Sequence, residues 1–141
     1  MGGNAWATTG AYQADLAAAF RAEQERELAA DDHGFAGRTI EELWDDPEWH
    51  EYIFTGGTAT VLDLVCLVEA TDRDPGPVMR PLTDAEIRAW CPGGRPTHAE
   101  WEAALDTDVL DYPARGCGNC TVLHDEEGRP TRIAYWGVTA D

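Results

Sequence analysis

The sequence predicts an α+β fold: a small, mainly antiparallel sheet of three or four strands, packed with four or five short helices. Three observations support this fold class. Capping boxes mark several helix starts, two β-branched segments flank a turn near the end of the chain, and apolar residues are spread along all 141 residues. This length is near the commonest domain size, so the sequence predicts a single globular domain over residues 1–141, with residues 1–8 as its flexible part.

Helix starts are the clearest local features of the sequence. Thr39, Thr83 and Thr97 are each followed three residues later by a glutamate, which is the pattern of a capping box. Asp46-Pro47 indicates a further start, because aspartate caps a helix and proline fits its first turn. Apolar residues at four-residue spacing predict a first helix over residues 11–30.

Strand signals occur in two parts of the sequence. Residues 58–68 form a nearly continuous apolar and β-branched run, which predicts a strand covered on both faces. Residues 120–124 and 131–138 flank a turn that ends in glycine, and this pattern predicts a hairpin. Residues 69–81 are rich in proline and are predicted to form a loop.

Charge is the most unusual bulk property. The chain has 27 acidic and 10 basic residues, a net charge of −17, and no lysine. Such a surface repels phosphates and anionic lipids, so the sequence predicts no direct binding to nucleic acid or to membranes. It suits a basic protein partner, and the first functional hypothesis is therefore a small acidic binding, inhibitory or accessory module. A GC-rich genome and the solubility of acidic surfaces explain the same composition without a partner.

The chain has no marks of secretion or membrane insertion. No stretch approaches the roughly 20 apolar residues that cross a bilayer, and the first residues lack the basic and apolar regions of a secretory signal. The sequence therefore predicts a cytoplasmic protein, whose four cysteines are reduced thiols.

Cys117 and Cys120 form the most specific chemical motif in the chain. Two thiols separated by two small residues can bind one metal ion, and zinc takes four nitrogen or sulfur ligands. His124 and Cys91 are the further ligands that the sequence offers, so zinc is the cofactor considered. The zinc would either serve a reaction or only staple a structural domain. A glycine-rich turn explains the same pattern without a metal.

Asp46 and His50 are the candidate catalytic pair. They lie four residues apart, so a helix places them on one face, where the carboxylate can orient the imidazole for proton transfer. Trp44 and Trp49 are candidate walls of a substrate pocket. The alternative function is thus a small enzyme or biosynthetic accessory protein that uses this pair or the cysteine motif. In the simpler interpretation, Asp46 caps a helix and His50 is solvated.

Short motifs along most of the chain carry a resemblance. They are YQADL at residues 12–16, GT at 57–58 leading into VLD at 61–63, PLT at 81–83 with Glu86, RPT at 95–97, and GRPTRI at 128–133 with Gly137. In these motifs the chain resembles a group of small, mostly uncharacterised actinobacterial proteins. The resemblance implies one compact domain, and the group brings no established activity.

Overall fold

The sheet has four strands, and the predicted hairpin forms its centre. The computed structural model describes residues 2–73 and 76–141. In sequence order the strands are β1 (Ala5–Ala11), β2 (Met79–Pro81), β3 (Gly118–His124) and β4 (Pro130–Val138). The order within the sheet is β1-β4-β3-β2; β4 is antiparallel to both β1 and β3, whereas β2 is parallel to β3. The α+β prediction with a mainly antiparallel sheet is confirmed.

Five helices occur in the described part of the chain. They are α1 (Leu16–Ala30), α2 (Ile40–Trp44), α3 (Pro47–Thr55), α4 (Asp84–Trp90) and α5 (His98–Asp106). Three of them begin with the predicted capping boxes, at Thr39, Thr83 and Thr97, in which threonine and glutamate exchange hydrogen bonds in both directions. α1 begins later than predicted, because the Asp15 side chain accepts a hydrogen bond from Ala18 N (3.1 Å) and caps the helix there.

The N-terminal segment, expected to be flexible, contributes a strand from Ala5 onwards. β1 has little strand signal of its own, since its sequence AWATTGA contains one large apolar residue. That residue, Trp6, is only 7% exposed and packs against the sheet. β4 supplies the hydrogen-bonding partner of β1 in a register that runs from Ala5–Val138 to Ala11–Arg132. Tertiary pairing therefore creates this strand.

The prediction of a strand at residues 58–68 is wrong. The segment forms a 3₁₀ turn at Val61–Asp63 and continues without regular structure. The buried carboxylate of Asp63 is the cause, because it accepts hydrogen bonds from the backbone N–H groups of Thr58 (2.7 Å) and Ala59 (3.1 Å). These bonds curl the chain back on itself, so Val61, Leu62 and Leu64 are buried without being part of an extended strand.

The loop predicted at residues 69–81 ends in a strand. Met79 N donates to Cys66 O and Val68 N donates to Met79 O, each at 2.9 Å, so the chain pairs with itself before β2 continues along β3. Residues 74 and 75 of the predicted loop lie outside the described residues.

Helices cover both faces of the sheet, and each face has its own apolar cluster. The α1 face packs against α1 and the 3₁₀ turn, with a core of Trp6, Phe20, Val61, Leu64, Cys120, Ile133 and Tyr135. The α5 face packs against α5, with a core of Trp101, Leu105, Leu123, Ala134 and Trp136. A further cluster joins α2 and α3 around Trp49. Throughout the described ranges, no helix has the length and apolar character needed to span a membrane.

Candidate functional site

The two cysteines of the predicted metal motif lie in different surroundings. Cys120 is fully buried in the core of the α1 face, where burial raises the pKa of its thiol to about 12. Cys117 lies one residue before β3, and its Sγ is 3.6 Å from the carbonyl oxygen of Gly76. A buried neutral thiol is a poor metal ligand, because metals bind the thiolate.

The other two predicted ligands are also engaged elsewhere. Cys91 Sγ lies 3.8 Å from Glu100 Oε2, and His124 Nδ1 lies 3.3 Å from the carbonyl oxygen of Pro96. Across residues 2–73 and 76–141, no three His, Cys, Asp or Glu side chains come together in a group that could hold a metal ion. The structure therefore does not bring the predicted zinc ligands together.

Asp46 and His50 lie at the start of α3, as predicted, but each is bonded to a different group. The Asp46 carboxylate pairs with Arg38 and accepts a hydrogen bond from Glu48 N (2.9 Å), and these two contacts hold its pKa below the usual value. His50 Nε2 donates to the carbonyl oxygen of Trp44 at 2.6 Å. Asp46 thus serves as a helix cap, and His50 ties α3 to the end of α2.

The two tryptophans proposed as pocket walls belong to the α2–α3 cluster. Trp49 is fully buried, and Trp44 meets it edge to face with the ring centroids 6.2 Å apart. The second contact of Trp44 is with the exposed ring of His50, at 5.4 Å. Trp49 is therefore a core residue, and Trp44 covers it.

A different feature is the outer edge of β1, which pairs with no other strand among the described residues and is contacted at the Thr9 carbonyl oxygen by Arg132 (3.4 Å). Thr139 N donates to Asn4 O (3.0 Å), which marks Asn4 as a hydrogen-bonded position towards β4. Bonded and free positions alternate along an antiparallel strand, so Ala5, Ala7, Thr9 and Ala11 direct their backbone N–H and C=O groups outward. This edge carries no charge and no proline, which are the usual protections of an edge strand.

A cleft of about 350 Å³ lies between β1 and α5, and we call it the α5 cleft. Glu102 and Asp106 line it from α5, one turn apart. His98 stacks on Trp101 with a centroid distance of 5.6 Å, and its Nδ1 lies 3.6 Å from Glu102 Oε1. Tyr112, a residue with 37% exposure, lines the same cleft. Carboxylates and aromatic rings therefore surround one small space.

A second cleft, of about 460 Å³, lies between β1 and α1, and we call it the α1 cleft. Its charged groups are Glu23, Arg26 and Arg132. Glu23 is only 4% exposed and holds Arg26 through both carboxylate oxygens, with Arg26 Nε 3.0 Å from Oε1. Arg132 donates from Nε to Thr9 Oγ1 at 3.0 Å. Thr9 lines both clefts.

Gly10 separates the α1 cleft from the core of the α1 face. A Cβ atom at this position would lie 2.7 Å from Glu23 Oε1 and 3.1 Å from Tyr135 Cε2. The Tyr135 hydroxyl is buried and has no hydrogen-bond partner among the described residues. Burial, with a smaller effect from Cys120 and Glu23, raises its pKa, so it stays a neutral donor.

Sequence reasoning missed both clefts. One signal for the α1 cleft was present: Glu23 follows the buried Phe20 by three positions, so a carboxylate falls on the apolar side of the predicted first helix. A buried carboxylate needs a partner, and Arg26 lies three positions further on. No comparable signal connects either helix with β1.

Comparison with known protein-family models, with curated proteins and with solved structures finds no match to this chain.

Proposed function

We propose that this protein is a binding module that docks a cationic protein partner along the outer edge of β1. The observation that carries the proposal is the outer edge of β1, which contains no charged residue and pairs with no other strand among the described residues, beside two carboxylates of α5. The partner supplies an extended segment that adds a fifth strand to the sheet. This is the mode of recognition known as β-strand addition.

Backbone hydrogen bonds would provide the affinity for any extended segment. Ala5, Ala7, Thr9 and Ala11 offer alternating N–H and C=O groups at the edge, with only small side chains beside them. β1 contains no charged residue and no proline, so an added strand has only the weak contact between Arg132 and Thr9 O (3.4 Å) to displace. Backbone pairing alone does not select a partner.

Side chains of the α5 cleft would provide the selectivity. Ala7 and Thr9 pair with Trp136 and Ala134, so their side chains lie on the α5 face. In an added strand, every second side chain would point to this face as well. A lysine or arginine there meets the carboxylates and aromatic rings of the α5 cleft, and both kinds of group attract cations.

The overall charge supports the same choice of partner. A net charge of −17 steers cationic proteins towards the molecule and repels a second copy of the chain. Two copies paired through β1 would also bring their α5 carboxylates to one side of a joined sheet. A basic heterologous partner therefore fits better than self-association.

The test uses a seven-residue peptide with arginine at alternate positions and threonine or valine between them. The matched control has glutamate in place of each arginine. We expect the arginine peptide to bind, to weaken steeply as salt increases, and to slow hydrogen exchange at Ala7, Thr9 and Ala11. Equal binding of both peptides, or slowed exchange elsewhere only, would contradict the proposal.

Two variants separate the backbone and charge contributions. Ala7→Pro removes an outward N–H without touching the ladder to β4, so the fold should persist while peptide binding is lost. Glu102→Gln with Asp106→Asn should weaken binding about tenfold at low salt. The control pair Glu51→Gln with Glu126→Gln removes two exposed charges away from β1 and should change little. Concentration-dependent dimerisation without peptide would point to a second copy as occupant, against the proposal.

A further inference from the structure

The α1 cleft carries positive charge in a strongly acidic protein. Two guanidinium groups, of Arg26 and Arg132, and one carboxylate, of Glu23, line it. Glu23 neutralises Arg26 through a two-point ion pair. The cleft therefore retains one positive charge, at Arg132, although the net charge of the whole chain is −17.

Arg132 has no ion pair within residues 2–73 and 76–141. Its guanidinium donates to Thr9 Oγ1 (3.0 Å) and more weakly to Thr9 O (3.4 Å). These two bonds use Nε and Nη2, and Nη1 donates no hydrogen bond to a described residue. Arginine binds carboxylates through two parallel hydrogen bonds, so a free side of this group is suited to an anionic ligand.

The shape of the α1 cleft favours a small ligand. Ala11, Ala19 and Ala22 form walls without long side chains, and Gly10 leaves open the approach to Glu23. The Glu23 carboxylate is nearly excluded from water, and each of its oxygens retains a lone pair after bonding Arg26. It can therefore accept a hydrogen bond from a ligand hydroxyl and would repel a dianion.

We propose that the α1 cleft binds a short-chain carboxylate that carries a hydroxyl group beside the carboxylate. Arg132 holds the ligand carboxylate, Glu23 accepts the hydroxyl hydrogen bond, and the alanines contact the short carbon chain. This inference does not depend on the proposed partner of the β1 edge. It adds a small-molecule site between α1 and the edge of the same strand.

The test is a titration of the labelled protein with lactate, propanoate and inorganic phosphate, followed by amide NMR. We expect lactate to shift Gly10, Ala11 and Ala22 saturably, propanoate to bind several-fold more weakly for lack of the hydroxyl, and phosphate to bind weakest. Shifts of equal size for all three anions, or none near β1 and α1, would overturn the proposal.

Variants of two arginines complete the test. Arg132→Gln should weaken lactate binding at least tenfold. The lactate affinity of Arg132→Lys should lie between those of the unchanged protein and the glutamine variant, because lysine keeps the charge and loses the two-point geometry. The matched control is Arg129→Gln, since Arg129 is exposed on the same hairpin and already pairs with Asp125. If Arg129→Gln weakens binding as much as Arg132→Gln, the effect is general electrostatics and the site is refuted. Because Arg132→Lys keeps the positive charge at this position, it also serves if the glutamine variant is unstable.

Discussion

The two faces of the sheet hold their ionisable side chains at different depths. On the α1 face, Glu23, Cys120 and Tyr135 lie within or directly against the core. On the α5 face, Glu102 and Asp106 lie at the exposed rim of the cleft, above a core of tryptophan and leucine. Both faces end at the same edge strand, yet one has buried ionisable groups and the other has exposed carboxylates above its core.

This difference determines which residues can vary without loss of the fold. A buried polar group is costly to disturb, because its partners are left unsatisfied, whereas an exposed carboxylate can be replaced within about 0.5 kcal/mol. Under the proposed function, partner selectivity can therefore change at the α5 rim with little cost to the fold. At the ligand site that we propose in the α1 cleft, a change in ligand contacts would also change stability.

The largest expected effect is a difference in thiol reactivity between two cysteines, and it tests how deeply the core of the α1 face is buried. Cys120 is fully buried and the pKa of its thiol is raised to about 12, whereas Cys66 is exposed. We expect Cys120 to react with a thiol reagent at pH 8 at least about a hundredfold more slowly than Cys66. Timed alkylation with peptide mapping measures both rates in one sample. Comparable rates would mean that the α1 face is open.

The second test concerns the floor of the α5 cleft. Trp101 is 3% exposed and packs on Trp136 with the centroids 6.0 Å apart, so Trp101→Ala should lower the free energy of unfolding by about 3–5 kcal/mol. Urea denaturation measures the loss. The exposed neighbour His98, replaced by alanine, should cost less than about 0.5 kcal/mol. A small loss of unfolding free energy in Trp101→Ala would show that Trp101 does not belong to the core.

A third, intermediate effect is expected at the wall of the α1 cleft. Gly10→Ala places a methyl group 2.7 Å from Glu23 Oε1, and the resulting shift should cost about 1–3 kcal/mol in unfolding free energy. Gly93→Ala is the control, since no atom lies within 4 Å of a Cβ there. Equal stability of the two variants would mean that Glu23 can move away, which contradicts a tightly held carboxylate.

The smallest effect is expected at Thr9, the residue that both clefts share. Thr9→Val keeps the β-branched shape but removes the oxygen that accepts from Arg132, so stability should fall by about 0.5–1 kcal/mol. Thr8→Val is the control, because no hydrogen bond of the Thr8 side chain is present within the described residues. A thermal melt compares them, and identical melting temperatures would show that the Arg132–Thr9 bond contributes nothing.

The sequence was informative wherever structure depends on neighbours along the chain. The caps at Thr39, Thr83 and Thr97 and the β3–β4 hairpin are set within a few residues, and all were predicted. Residues 58–68 were predicted incorrectly because their apolar pattern reports burial, whereas the Asp63 carboxylate determines the backbone path.

The candidate sites depend on contacts between distant segments. Both clefts exist only once β1 lies beside β4, and β1 has a single large apolar side chain to signal its presence. Among the residues that the sequence suggested, Asp46 and His50 are held by local bonds, Cys120 is held by burial, and Cys117 contacts the distant Gly76 carbonyl. Arg132 and Thr9 meet across 123 positions, and no local pattern predicts that contact.

The pairing of β1 with β4 also has a consequence for the nascent chain on the ribosome. Asn4 N donates to Thr139 Oγ1 at 2.7 Å, across 135 positions of sequence. At roughly 5–20 residues per second, synthesis of these 135 positions leaves β1 without its partner for about 7–27 seconds. During that interval an uncharged strand and Trp6 are exposed to other nascent chains and to chaperones. The edge that we assign to partner recognition is thus also the segment most open to premature association.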